Sequence, residues 1–287
     1  MGGKFFNNVK TVMLLSVLTG FILFIGYLLG GQGGVIIALV LAGGMNVFGY
    51  FFSDKIAIAS MQAQEVGPEH ELYKITEQLA QRAGMPMPRV YVSPHAAPNA
   101  FATGRNPNNA AVCATAGLMQ MLDRNEIAGV MAHELAHIKH RDILIQTIAA
   151  TIGGAINFLG YMFMFGGSSN DEEGGGSNPI LGLLVMLLGP IAAAVIQMAI
   201  SRQREYAADT EGGKIVGDPM HLATALEKIH VMANRIPMQS NPAFNAMMIA
   251  EPKNFAGGMA SLFATHPRLE DRIKNLIGRE TTGKRFY

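Results

Sequence analysis

Four apolar stretches, Val12 to Leu29, Val35 to Phe52, Ile143 to Phe165 and Ile180 to Ile200, restrict what this chain can fold into. A helix needs about 20 apolar residues to cross a hydrocarbon core of about 30 Å, and each stretch comes close to that length or exceeds it. Only 15% of the 287 residues are charged and 49% are hydrophobic, which leaves too little polar surface for an ordinary soluble domain. The stretches therefore predict transmembrane helices in two hairpins, 1–52 and 143–200, alternating with two polar blocks, 53–142 and 201–287. The first stretch runs into "GYLLGGQGG" without a small-x-small cleavage pattern, so it reads as an anchor and not as a removable signal.

The basic residues near the ends of the stretches set the expected orientation. Lys4 and Lys10 precede the first, Lys139 and Arg141 precede the third, and Arg202 and Arg204 follow the fourth. Lys and Arg favour the cytoplasmic side of such helices, so both termini and both polar blocks are expected in the cytoplasm. The link from Gly30 to Gly34 is uncharged and "GGSSNDEEGGGSNP" carries only acids, as outward-facing links would. That acidic loop reads as a solvated turn and not as a calcium site. A net charge of +1 supplies no field to attract nucleic acid. Cys113 is the only cysteine, so neither an internal disulfide nor a cysteine metal site can form.

The two polar blocks together hold roughly 180 residues, enough for one compact α+β domain assembled from two halves of the sequence. "HELYKITEQLAQRAG" and "MHLATALEKIHVMANRI" have helical periodicity, with Gly84 as a helix stop. "PRVYVS", "NAFATG" and "AAVCAT" read as short strands between Pro and Asn turns.

The chemistry concentrates in "MLDRNEIAGVMAHELAHIKH". Asp123, with Glu126 three residues on, is a helix start, and Ile127, Val130, Met131, Leu135 and Ile138 continue the helix. His133 and His137, four residues apart, lie on one helix face and can both reach one tetrahedral zinc. Glu134 beside them is placed to take a proton from an attacking water, which is hydrolytic chemistry. His140 shares the face, but it lies about 10 Å from His133 along the helix, too far for one ion to take all three. It is expected at the lipid headgroups with Lys139 and Arg141. "HELYK" at His70 lacks the second histidine, and His70 reads as a surface helix residue. A catalytic zinc needs a third protein ligand, and "SRQREYAADTEG" offers Glu205. Asp209, one turn further on the same face, is free to orient a ligand histidine through its second ring nitrogen.

Four spans, "AHELAH" before the third, "REYAADTEG" after the fourth and "FATHPRLEDRI" near the end together resemble the HtpX family of bacterial membrane-bound zinc endopeptidases, relatives of the CAAX prenyl endopeptidases. The resemblance implies an α+β membrane protein, with four transmembrane helices and a mainly helical, zincin-like cytoplasmic catalytic domain holding a small β-sheet. It implies one zinc per chain on His133, His137 and Glu205, with Glu134 as the catalytic base and Asp209 closing an E-x-x-x-D motif. Pro98 to Gly104 resembles the edge strand that takes substrate by β-augmentation, which assigns substrate binding to Asn99, Ala100 and Phe101. The family's H-P-x-x-x-x-R segment gives His266 the role of stabilising the oxyanion and gives Arg272 a supporting one. By the same resemblance the setting is the bacterial inner membrane, and the task is a stress-related quality control of misfolded or damaged membrane proteins and unfolded polypeptides. Oligomeric state and cleavage preference have no signature in the sequence.

Two rival functions fit these residues less well. An intramembrane protease would bring Asp123, Arg124, Glu126, Lys139 and Arg141 to bilayer depth at high cost. A transporter or scaffold would make the histidine pair incidental, and Gln146, Asn157 and Gln197 read instead as interhelical hydrogen-bonding groups. The Gly26 and Gly30 pair suits helix packing within a bundle as well as it suits a dimer.

Overall fold

The structure, a computed structural model, describes residues 2–148, 202–233, 235, 249 and 267–278. In chain order the elements are α1 (Gly2–Ser60), β1 (Gln64–Glu65), α2 (Glu71–Ala83), β2 (Arg89–Ser93), β3 (Ala100–Asn106), β4 (Asn109–Thr115), α3 (Ala116–Met121), α4 (Arg124–His140), α5 (Arg202–Val216), α6 (Pro219–Ala233) and α7 (Leu269–Ile277). Residues 143–148 are also helical.

α1 carries the first two apolar stretches and is broken at Gly30 and Gly31. Gly31 adopts φ 55° and ψ −138°, which a side chain would resist. Residues eight apart in a straight helix are about 12 Å apart. Gly26 and Gly34 instead touch: a methyl group on Gly26 would stand 2.6 Å from the Gly34 carbonyl oxygen and 2.5 Å from Ala38 Cβ. The chain therefore reverses, and Gly26 packs inside its own hairpin while Gly30 has nothing near it. Ile36, Ile37, Val40, Leu41, Phe48 and Phe51 of the second arm are exposed. Among the described residues no helix is long and apolar enough to cross a membrane. Most of the third predicted span and all of the fourth lie outside the described residues.

The sheet runs β1-β2-β4-β3, with β2 parallel to β4 and the other pairs antiparallel. Its side chains alternate between two covered faces. Val90, Ala102 and Val112 join Leu72, Leu79, Met131 and Leu135 of α2 and α4 in the main core. Tyr91, Phe101 and Cys113 face the other way, onto Ala57 and Met61 at and just past the foot of α1. β2, β3 and β4 match the three predicted strands, whereas β1 was not foreseen: at two residues it has no periodicity to detect.

α4 is the central helix, with nearly every residue from Glu126 to Ile138 buried. The predicted start is present as a full capping box: Asp123 Oδ1 accepts from the amides of Asn125 and Glu126, and Glu126 Oε2 accepts from Asp123 N. Lys228 of α6 donates to the same Glu126 oxygen at 2.8 Å. α2 ends on Gly84 in the left-handed region as expected, but His70 is its N-cap, accepting from Leu72 N, and not a residue on its surface.

α4 and α6 approach so closely that a methyl group on Gly129 would stand 2.6 Å from Leu222 N. Backbone cannot move aside as a side chain can, so Gly129→Val should cost about 1–3 kcal/mol through overpacking. A lowered thermal unfolding midpoint would show this; an unchanged midpoint would mean that the helices are not in contact there.

Candidate active site

The two histidines of α4 point their rings at a common place. His133 Nε2 and His137 Nε2 are 3.1 Å apart, and the planes cross at 89°. Glu205 in the first turn of α5 closes the third side, 3.4 Å from His137 Nε2 and 3.8 Å from His133 Nε2. Among the described residues these three form the group able to hold a metal ion, with one ligand atom from each within 4.8 Å of the others. All three are buried. His140 is not in the group, and its pKa is lowered chiefly by burial.

α5 can come this close because Gly212, seven residues after Glu205, faces the backbone of α4. A methyl group there would lie 3.0 Å from both N and Cα of His133. Glu205, Asp209 and Gly212 share one helix face at intervals of four and three. The residue that permits contact is thus in register with the two that use it.

Each ring has a carboxylate behind it. Asp209 Oδ1 lies 3.0 Å from His133 Nδ1, at ion-pair distance but not aligned as a hydrogen bond. Asp142 Oδ2 lies 3.2 Å from His137 Nδ1, and this second carboxylate was missed. Carboxylates at Nδ1 favour a proton there and leave both Nε2 lone pairs facing each other and Glu205. Three acceptors without a donor repel one another, and a cation resolves the conflict, so the donor set fits a metal. The electrostatics agree. Burial alone would depress His137, but Glu205 and then Asp142 outweigh it and lift its pKa to about 10. Without a metal, a proton on His137 supplies the positive charge. His133 stays low through burial, a tendency reinforced by His137 beside it.

Arg272 of α7 anchors this arrangement. It grips Asp209 with two bonds, Nε to Oδ2 at 2.9 Å and Nη2 to Oδ1 at 2.6 Å. Burial opposes its charge, but Asp209, Glu205 and Glu134 outweigh burial and keep it protonated. Its Nη1 also donates to the Ile249 carbonyl at 3.3 Å. The Ile249 amide in turn meets Ala100 O at 3.2 Å and Asn99 Oδ1 at 3.0 Å. Arg272 thus supports the histidine side of the site through Asp209.

Glu134, the expected base, follows His133 on α4 and is buried. Asn99, Ala100 and Phe101 are also buried, at the start of β3, which is an edge strand with β4 as its sheet partner. Two outward-facing groups of β3 are already engaged: Ala100 O by Ile249, and Gly104 N by Thr147 Oγ1 at 3.4 Å. His266 lies outside the described residues; its neighbour Pro267 is buried at the approach to α7.

Asp209 gives a pH test. Burial would raise its carboxyl, but Arg272 overrides this and holds it below the ordinary 3.8. A depressed carboxyl contributes stability that is complete above the unfolded value and is lost as pH falls through the folded one. Arg272→Ala leaves that charge buried without compensation and should cost about 3–5 kcal/mol at neutral pH. The deficit should shrink on acidification, because a protonated Asp209 no longer needs the arginine. Denaturant titrations of the metal-free protein at several pH values would measure this, and a deficit independent of pH would contradict it.

Residues 67–280 match the family model described as peptidase family M48. The protease HtpX homologs of Paraburkholderia phytofirmans and Burkholderia cenocepacia are each 52% identical over 284 residues, covering 97% of this chain and 99% of theirs. That of Burkholderia thailandensis is 51% identical over the same span. Among solved structures, S. mikatae Ste24p superposes with a TM-score of 0.51 at 20% identity, over 95% of this chain and 66% of that one, which is a likeness of fold. A family model that spans most of the chain and relatives aligned from end to end lead to one conclusion: the chain belongs to peptidase family M48 and is a metalloprotease.

Proposed function

We propose that this chain is a membrane-bound zinc endopeptidase that holds one zinc on His133, His137 and Glu205 and cuts polypeptides at the cytoplasmic face of the bacterial inner membrane. The observation that carries the reading is the meeting of three buried acceptor atoms, each within 4.8 Å of the others, from two separate blocks of the sequence. A zinc ion bound there supplies Lewis acidity to the peptide carbonyl and to a water.

The roles of the chain's own side chains follow from their positions. Glu134 accepts the proton of the attacking water and returns it to the leaving amine. Asp209 and Arg272 hold His133 in orientation. Arg272 is bonded twice to Asp209 and lies 3.9 Å from Glu205, so its support acts through these carboxylates. His266, by its place before α7, stabilises the negative charge that develops on the substrate oxygen. An extended substrate adds to the edge of β3 at Asn99, Ala100 and Phe101, where it takes the place of Ile249 on the Ala100 carbonyl.

Membrane insertion is supported by the exposed apolar side chains of α1, from Ile36 to Phe52, which lipid tails would cover. At the foot of that arm, Lys55 stands 5.1 Å over Phe52 and Arg105 stands 5.0 Å over Phe51, a pairing of cations with aromatics suited to headgroup depth. The expected substrates, misfolded or damaged membrane proteins, follow from the resemblance to the HtpX family.

Two sets of variants test the chemistry. Glu134→Gln should lower peptide hydrolysis by about 10²-fold or more while the purified protein keeps its zinc. His133→Ala, His137→Ala and Glu205→Ala should each lose both zinc and activity, and a Glu205→Ala protein that kept both would move the third ligand elsewhere. His266→Ala should lower kcat by about 10²-fold with zinc retained. Turnover near wild type would remove His266 from the mechanism and leave the zinc site intact.

A further inference from the structure

We propose that Asp142 is a positioning residue for His137, held in place by Arg204, and that through it the metal site is fastened to the junction where the third apolar stretch begins. The inference rests on the zinc reading of His133, His137 and Glu205.

Asp142 lies five residues after His137, out of phase with the ligand face of a helix that continued straight. Instead α4 ends at His140, and its cap Arg141 takes φ 61° in the left-handed region, an unusual conformation for a residue other than glycine. That single residue folds the chain back. The Asp142 amide then donates to the His137 carbonyl at 2.9 Å, while its carboxylate reaches His137 Nδ1 at 3.2 Å. One residue therefore grips the ligand by backbone and by side chain.

The next helix starts from the same residue, since Gln146 N donates to Asp142 O at 3.3 Å. Asp142 is 1% exposed, so its charge needs a partner apart from the histidine. Arg204 Nη1 lies 3.9 Å from Asp142 Oδ1, on a side chain that is 12% exposed. Arg204 immediately precedes the ligand Glu205, so consecutive residues of α5 serve opposite sides of the same imidazole. The other ligand has a tighter counterpart: His133 is backed by Asp209, which Arg272 holds with two hydrogen bonds, whereas Arg204 stands at ion-pair distance from Asp142 behind His137. The strain at Arg141 is the local cost of bringing Asp142 into that position.

The helix that Asp142 begins also touches β3. Thr147 Oγ1 is 3.0 Å from Thr103 Oγ1 and accepts from Gly104 N. A displacement of this helix start would be felt both at a metal ligand and at the edge strand.

The test uses the full-length protein in detergent micelles, with zinc affinity measured by competition against a chromogenic chelator. Substitution leaves the backbone bonds of Asp142 in place, so the side chain is isolated. Asp142→Ala should weaken zinc binding by about 10–100-fold, and Asp142→Asn, which keeps an acceptor oxygen but loses the charge, by less. The visible absorption of the cobalt-substituted protein should shift in both, because the orientation of a ligand ring has changed. Arg204→Gln should weaken zinc binding in the wild-type background and add little to Asp142→Ala. Wild-type zinc affinity and cobalt spectrum in Asp142→Ala would overturn the proposal. So would an affinity loss matched by an equal loss of thermal stability in the metal-free protein, which would reduce Asp142 to a helix junction. His137→Ala run alongside separates this failure from that of the zinc reading, because wild-type zinc affinity in that variant would mean His137 is no ligand.

Discussion

The need of two buried imidazole nitrogens and a buried carboxylate for one shared positive charge is the constraint from which the arrangement around the site follows. The nitrogens are 3.1 Å apart with Glu205 against both, and the charge is a metal or, without one, a proton on His137. They are kept together by charges and bonds one layer out. Behind the rings stand two aspartates, and behind the aspartates stand two arginines, all largely buried. A buried charge without a partner is costly, so each layer depends on the next. The outcome is a local surplus of negative charge that favours one cation at the centre.

Such a site tolerates little error in distance, and the packing supplies the precision. α5 is allowed against α4 by Gly212 at His133, and α6 against α4 by Gly129. Helix α4 is further fixed by its capping box and by Lys228 bonded to the capping glutamate. The catalytic helix is therefore held at its start, along its middle and, through Arg141 and Asp142, at its end.

What was legible in the sequence was what repeats with the period of a helix or strand. The start of α4, the pairing of His133 with His137, the spacing of Glu205 and Asp209, and strands β2 to β4 all obey such periods, and the structure has them. Asp142 escaped because its approach to His137 depends on a left-handed turn at Arg141, and no side chain announces that conformation as a glycine would. Ile249 escaped because it acts through its backbone amide and carbonyl, which every sequence position possesses. Gly212 was visible as a glycine in "TEG", but its purpose appears only when the partner helix is known. His70 was read onto the helix it in fact caps, because histidine is an uncommon N-cap. The arginine of the H-P-x-x-x-x-R segment was legible as important, though not as the anchor of Asp209.

Glu205 follows His137 by 68 positions, so the site closes a long loop, and flexible chain of that length would resist closure through its entropy. In the proposed topology that loop is the second membrane hairpin, whose two ends must emerge side by side if its helices are antiparallel neighbours. Inserting the hairpin would then bring residue 142 and residue 204 together before the catalytic domain is complete, and the Asp142 to Arg204 contact is where the two ends meet. His137 precedes that contact by five residues and Glu205 follows it by one, so the ligands from the two halves arrive together. In that topology the apolar stretches would do more than anchor the protease. They would convert an improbable long-range encounter into a local one, and a metal would then bind a site whose ends the membrane had already aligned.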